Sequence, residues 1–337
     1  MPISIEKLTS SQADEHCSDS VFTHPGFRLA LAREYRLEAV NIKLSFAGQP
    51  ICLPAFLRHN TFGAGGPALI IGAGFDKTGV IPGLADQDYA AAISQLMQAL
   101  QDNPTGIRQL SLRTTQPIPC QQDHSDKVEL SIRLDKPCAE RLMDFSKSTR
   151  RNIRLPFKQG FHFVMDRQPL LLEQFYQLYL HSMHELGSLP HSYTFFQEIL
   201  TRCQQDIVIF VGYMDKQPVV ASFIFLSDDE AYGVWSGTHP AYKQQNVFLA
   251  MLWSVLEFCE QTGRSRYNLG RSSRGSGACQ FKTRLANQVR DIHYYQLPIK
   301  VADSSPSLVQ RSASWVIRNT PPFVMHTLSR SLLHRFY

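Results

Sequence analysis

The amino-acid sequence predicts an α/β protein of two related domains, each a mixed sheet flanked by helices. Three observations predict it. Short apolar or alternating runs bounded by turn residues recur along the chain, as strands do. Between them lie segments whose apolar residues fall at helical intervals. The order of elements in residues 1–143 then returns, more fully, in residues 144–300. The repeat is one of element order; no residue-level self-similarity accompanies it. A chain of 337 residues is long enough for two ordinary domains.

The elements follow in order. After a polar start, "GFRLALAREY" has helical spacing and "LEAVNIKLSF" alternates as a strand. "AGQP" turns the chain and "ICLPAFLRH" returns beside it as a hairpin. "PALIIGAGF" is a short strand, "DQDYAAAISQLMQALQDN" a helix, and "GIRQLSLR" and "KVELSIRL" are strands joined by a Pro/Gln-rich loop. A boundary falls near 135–145. "CAERLMDFSKSTRRNIRLPFKQG" reads as one helix disturbed at Pro156. The strand "FHFVMD", a helix stopped at Gly187 and the helix "SYTFFQEILTRC" come next. Three strands follow: "DIVIFVGYM", "QPVVASFIFL" and "AYGVWSG". A long apolar helix ends at Gly263, "SRYNLG" is a strand, and "RDIHYYQLPI" is the last strand of the second domain. Residues 301–337 form a basic amphipathic tail, with four arginines and one acid, that suits either an anionic membrane or a terminal helix.

Composition excludes several classes. Hydrophobic residues make up 43% and charged residues 19%, as in a globular chain with a sizeable core. A net charge of +5 is too small to mark a nucleic-acid binder by itself. The seven cysteines include no C-x-x-C pair, so neither a disulfide framework nor a zinc site is expected. Reduced thiols fit a cytoplasmic protein. No stretch of the N-terminus has signal-peptide character, and no run of about 18 apolar residues predicts a membrane span.

Three stretches carry a resemblance: "FSKSTRRNIRLPFKQGF", "HELGSLPHSYTFFQEIL" and "NLGRSSRGSGACQFKT". In this order and spacing the chain resembles, from about Val21 onward, the Fem-type (FemAB-related) branch of the GNAT acyltransferases. It is most similar to the subgroup that accompanies exosortase and exopolysaccharide systems. The resemblance implies two tandem GNAT-like domains and acyl transfer to an amine. Fem-type enzymes move an amino acid from aminoacyl-tRNA to a peptidoglycan precursor, while other relatives take a CoA thioester as donor. The resemblance therefore implies acyl-CoA or aminoacyl-tRNA as co-substrate, no metal, and an amine-bearing envelope precursor as partner. Such a protein would work in the cytoplasm or at the inner face of the membrane.

Acyl transfer passes through an oxyanion that needs a hydrogen-bond donor or cation aimed at it. The family carries an aromatic–lysine pair near the end of its second domain, matched here by Phe281 and Lys282. The resemblance implies that Lys282 stabilises the oxyanion and Phe281 shapes the pocket. Where the family continues with an aromatic–glycine pair, this chain has "RLAN". Arg271, Ser272, Ser273, Arg274, Gly275 and Gly277 offer amides and charge to a phosphate-bearing donor; taken alone they read equally as a solvated Gly/Ser loop. The usual phosphate loop of the fold should fall at "HPAYKQQNVFLAML", which has no glycine and only Lys243 as a cation.

Arg150, Arg151 and Arg154 lie in an acid-free basic helix suited to tRNA phosphates, a diphosphate-linked precursor or an anionic membrane, or simply to solvent. His184 and Glu185 are acid–base candidates, and Tyr193 lies beyond the Gly187–Pro190 turn in the same stretch. Strand alternation sets Tyr232 and Val234 on one face, Gly233 and Trp235 on the other; Trp235 and Ser236 end that strand where a donor would approach. A non-catalytic binding module for an anionic glycan or lipid precursor is the alternative reading, favoured by the missing glycines.

Overall fold

The computed structural model describes residues 3–9, 21–59, 67–81, 83–102 and 105–299. The predicted tail lies outside them. The chain divides into two units. The first holds the chain up to Val128 and the last described residues from Arg290; the second is Glu129–Val289.

In the first unit β1 (Ser4–Lys7), β2 (Glu38–Phe46), β3 (Gln49–Arg58) and β4 (Ala68–Ile71) pair antiparallel in turn. β5 (Gln109–Thr114) joins β4 in parallel. The predicted hairpin is β2–β3. Ala47 and Gly48 close it with φ of 49° and 80°, the turn whose twist matches that of the strands it joins. β1 arises where the sequence predicted none: four mostly exposed residues carry no strong pattern, and pairing to β2 alone makes them a strand. Helix α1 (Pro25–Tyr35) covers one face, where the buried Arg28 donates to Asn41 Oδ1 at 2.6 Å and the Ala55 carbonyl at 3.2 Å. Helix α2 (Tyr89–Asp102) covers the other, setting Ile93, Leu96 and Leu100 among Val40, Ile42 and Leu44. Beyond the β4–β5 pair the turn from Gly72 to Gly79 closes tightly. A Cβ on Gly72 would lie 2.5 Å from the Arg113 carbonyl oxygen.

The second unit begins with β6 (Lys127–Arg133), whose first two residues fall in the first unit. The single helix expected next is two helices, α3 (Cys138–Asp144) and α4 (Lys147–Lys158). Phe145 is extended between them, and Ser146 caps α4 by accepting from Thr149 N at 3.2 Å. Pro156 does not end α4. It lies in the last turn on the buried side, where its missing N–H costs one bond and the helix runs on to Lys158.

β7 (His162–Asp166), α5 (Pro169–Leu186), α6 (Tyr193–Arg202), β8 (Ile207–Met214), β9 (Gln217–Leu226), β10 (Glu230–Thr238), α7 (Val247–Gln261), β11 (Arg266–Ser273) and α8 (Gly277–Thr283) complete the unit. Its sheet runs β6-β11-β10-β9-β8-β7. α5 and α6 lie on one face, where Phe175, Phe196, Phe223 and Trp235 interlock; α7 lies on the other, with Phe258 edge-on to Phe210 at 5.4 Å. α3 and α4 pack on α7.

The last strand, β12 (Gln288–Pro298), does not complete the second domain as chain order had it. It pairs antiparallel with β5 from His293↔Thr114 to Pro298↔Gln109, in the first unit. β6, which follows β5 in sequence, sits beside β11 instead. Each sheet thus has three antiparallel pairings, one parallel pairing and a final strand, and the two halves exchange that final strand. The predicted fold class, α/β with mixed sheets flanked by helices, is the observed one.

Candidate active site

The second unit holds the feature on which a site is built. β10 and β11 are parallel, but their register runs only from Glu230↔Arg266 to Tyr232↔Asn268. Both strands continue well past it. β10 keeps pairing with β9 as far as Thr238, while Val234 is squeezed out as a bulge between Gly233 and Trp235. On the other side Gly270 takes φ +72°, a conformation glycine adopts freely. Its N–H goes to Asn268 Oδ1 at 2.8 Å, and Asn268 Nδ2 donates to Glu230 Oε1 at 3.0 Å. Asn268 is fully buried. It supplies from its own side chain the acceptor for Gly270 N–H that a neighbouring strand would otherwise supply, and the strands part. In the first unit all four β4 residues stay paired to β5 and the Gly72–Gly79 turn follows directly.

The parting strands have fixed walls. A Cβ on Gly237 would lie 2.2 Å from the Leu178 carbonyl carbon, so β10 rests directly on the α5 backbone. Thr238 N also donates to Ser182 Oγ at 3.2 Å. Asn268→Ala should strand the buried Gly270 N–H, costing roughly 1–3 kcal/mol. Urea unfolding would measure it, and a loss below about 0.5 kcal/mol would contradict this account of the parting.

α8 follows β11 after a turn at Gly275 (φ +75°), with Ser276 as its cap, accepting from Cys279 N at 3.1 Å. Lys282 on α8 reaches back, its Nζ donating to the Arg271 carbonyl at 3.2 Å. Burial pushes the lysine down to about 8; Cys279 opposes the shift and Arg271 adds to it. Phe281 is partly exposed and meets Phe248 of α7 edge-on at 5.8 Å. A half-buried amine therefore stands at the end of the strand that parts from β10.

The other predicted residues separate into groups. Arg271 and Ser273 are half-buried on β11, Arg274, Gly275 and Gly277 are exposed, and Ser272 is buried in the strand. The stretch is thus a strand end and a capped short helix, with only its turn in solvent. Glu185 pairs with Lys243, so the one cation of the expected phosphate loop is already engaged. That loop is a 3-10 turn, Pro240–Gln245, leading to α7, whose first residue has no side-chain cap. His184 is half-buried at the end of α5. Tyr193 is half-buried, edge-on to Tyr176 at 5.2 Å, and burial raises its phenol.

Trp235 is core. Its ring meets Phe196 at 5.0 Å, His191 at 5.3 Å and Phe225 at 5.6 Å. The bulge at Val234 is the reason strict alternation misplaces it: Tyr232 and Trp235 are buried, while Gly233 and Val234 are half-exposed. Ser236 is half-buried beside it. Arg150 donates to the Met143 and Phe145 carbonyls at 3.2 and 2.9 Å, closing the end of α3, whereas Arg151 and Arg154 are exposed. Asn268, Gly233, Gly237 and Ser276 were not singled out from sequence. Glycines at 233 and 237 within an apolar strand, and the N-x-G of residues 268–270, were the available signals.

Residues 143–283 match the family described as acetyltransferase (GNAT) domain. FemX is similar in structure, with a TM-score of 0.64 and 10% identity over 87% of this chain and 97% of that one. The chain has the Fem-type GNAT fold. A second similar structure is the C-terminal domain of a putative lysylphosphatidylglycerol synthetase from Agrobacterium fabrum. It gives a TM-score of 0.53 and 12% identity over 96% of this chain and 98% of that one. L-PGS from Bacillus licheniformis gives 0.53 and 13% over 93% and 97%. No curated protein matches the sequence. In this GNAT fold the matched residues end at Thr283, just after Lys282, and contain β10, β11 and α8 whole. Among the described residues no group of three or more His, Cys, Asp or Glu side chains is placed to hold a metal ion, and no helix is long and apolar enough to cross a membrane.

Proposed function

We propose that the protein transfers an acyl or aminoacyl group to an amine on an envelope-polymer precursor, with Lys282 as the oxyanion-stabilising cation. The observation that carries this reading is the half-buried Lys282 amine at the parting of β10 and β11. Past Tyr232 and Asn268 the two strands offer each other no further register. An extended donor would lie there, alongside backbone N–H and carbonyl groups that the two strands do not pair with each other. Lys282 presents an ammonium to the carbonyl oxygen as charge develops on it. Phe281 shields that charge from water. Arg271 and the Gly275 turn meet an anionic part of the donor or acceptor, and Arg151 and Arg154 are assigned to no step.

The acceptor amine must lose a proton, and His184, half-buried at the end of α5, is the proposed group to take it. The 3-10 turn before α7 and the Lys243–Glu185 pair leave backbone amides alone to meet a donor phosphate there. This supports an aminoacyl-tRNA ester over a CoA thioester. The similarity to a lysylphosphatidylglycerol synthetase, by its name an enzyme that makes an amino-acid-bearing lipid, supports the same choice. The subgroup tied to exosortase and exopolysaccharide systems supplies the proposed setting.

The test is direct. Acyl-CoAs and charged tRNA are offered with peptidoglycan and exopolysaccharide precursors, and amide formation is followed by mass spectrometry. Product from charged tRNA is expected; product from acyl-CoA alone would overturn the choice of donor. Thermal stabilisation by a polysaccharide precursor, with no product and no stabilisation by either donor, would instead make this a binding module.

A further inference from the structure

α4 (Lys147–Lys158) carries a line of exposed cations. Four of its five cations fall at positions 147, 151, 154 and 158, in steps of four, three and four. At about 100° per residue these steps keep Lys147, Arg151, Arg154 and Lys158 within an arc of about 60°. Ile153 and Pro156, the buried residues of the helix, lie on the far side. All four cations are exposed, and none forms an ion pair among the described residues. The nearest acid in sequence, Asp144, is paired to Lys136 at 2.5 Å. α4 itself contains no acid.

Two exposed large apolar residues adjoin this line, Met143 just before α4 and Phe157 on it. Arg150 and Phe157 are seven residues apart and so share a flank of α4. Arg150 ties the Met143 carbonyl to that flank at 3.2 Å. Met143 is 63% exposed and Phe157 is 38% exposed, both unusual for large apolar side chains.

We infer that this face of α4 docks on an anionic phospholipid bilayer. Four unpaired cations on a convex helix face offer charge to a flat array of phosphates, not to a pocket. Their long stems reach the headgroups while the flanking Met143 and Phe157 enter the acyl boundary. An RNA backbone would use the cations and leave that apolar flank in water. Each basic residue near an anionic surface raises binding roughly fivefold, so four give a reversible attachment of several hundredfold. The docking is independent of which acyl group the second unit transfers.

The test uses the full chain and flotation with phosphatidylcholine vesicles, with and without phosphatidylglycerol. The wild type should float only with phosphatidylglycerol, and progressively less as salt is raised. The variant K147Q/R151Q/R154Q/K158Q should bind at least tenfold more weakly with an unchanged melting temperature. M143S/F157S should bind several-fold more weakly at the same net charge. K7Q/R133Q/K216Q/R290Q, which removes as many charges elsewhere, should bind like the wild type. Equal loss in this control variant would reduce the effect to net charge and overturn the assignment. So would full binding by the α4 variant, absence of vesicle binding by the wild type, or α4-dependent binding of tRNA-sized RNA with none to vesicles.

Discussion

Lys282→Ala should lower turnover by about 10²–10³-fold while leaving the fold intact, the loss typical of one preorganised oxyanion donor. Near-normal turnover would remove Lys282 from the chemistry. The pH profile is a second reading of the same group. Burial holds its amine down to about 8, so the charge required of it is present at neutral pH and is lost as pH rises through that value. Activity should therefore fall on the alkaline side with a midpoint near 8, far below the range of an exposed lysine.

Stability should move in the opposite sense. The unfolded chain holds the Lys282 proton more tightly than the folded one, so between about 8 and the ordinary lysine value it binds more protons and folding gains as pH rises. At pH 7 the buried ammonium is a cost, and Lys282→Met should stabilise the protein by roughly 1–2 kcal/mol after allowance for its partial exposure. That gain should shrink when melting is repeated near pH 10. A variant both inactive and more stable at pH 7 is expected of a functional residue and not of a structural one.

Gly237→Ala should be the most damaging single-methyl change in the second unit. The new Cβ would lie 2.2 and 2.3 Å from the Leu178 carbonyl carbon and oxygen and 2.5 Å from Tyr179 N. These are backbone atoms of a helix anchored by the buried Phe175, Tyr176 and Tyr179, with no flexible side chain to turn aside. α5 or β10 must retreat, and the wall of the parted strands moves with it. A loss of about 3 kcal/mol or more is expected, a fall in melting temperature of roughly 6–12 °C for a unit of this size. Gly277→Ala is the contrast: its Cβ would meet nothing within 4 Å and its backbone is helical, so stability should hold or rise slightly. Equal melting of the two variants would show that β10 does not rest on α5 as described.

Much of this was legible from local pattern. The hairpin around Ala47 and Gly48, the long helix stopped at Gly187 and the apolar strands 207–214 and 217–226 each carry their signal within the element. The Phe281–Lys282 pair stood out through family resemblance alone, and its role is a proposal. Long-range decisions were not legible. Phe145 and Ser146 break one helical pattern into two through a cap of ordinary residue types. Trp235 left its predicted face because a bulge at Val234 shifted the period by one residue. Arg150 looks like its neighbours 151 and 154 in sequence, but only it reaches the carbonyls at the end of α3.

The sequence by itself determined the α/β class, most of its helices and strands, and the stretch in which the proposed chemistry lies. These follow from hydrophobic period and turn residues, which act over a few neighbours. The tertiary structure alone decided which sheet β12 joins, where β10 and β11 part, and that burial brings the Lys282 amine down to about 8. Those outcomes depend on backbone hydrogen-bond partners and desolvation supplied by residues distant in sequence. Asn268 shows the difference most plainly: a polar residue in a strand until Glu230, 38 residues earlier, holds its amide and its oxygen turns to Gly270.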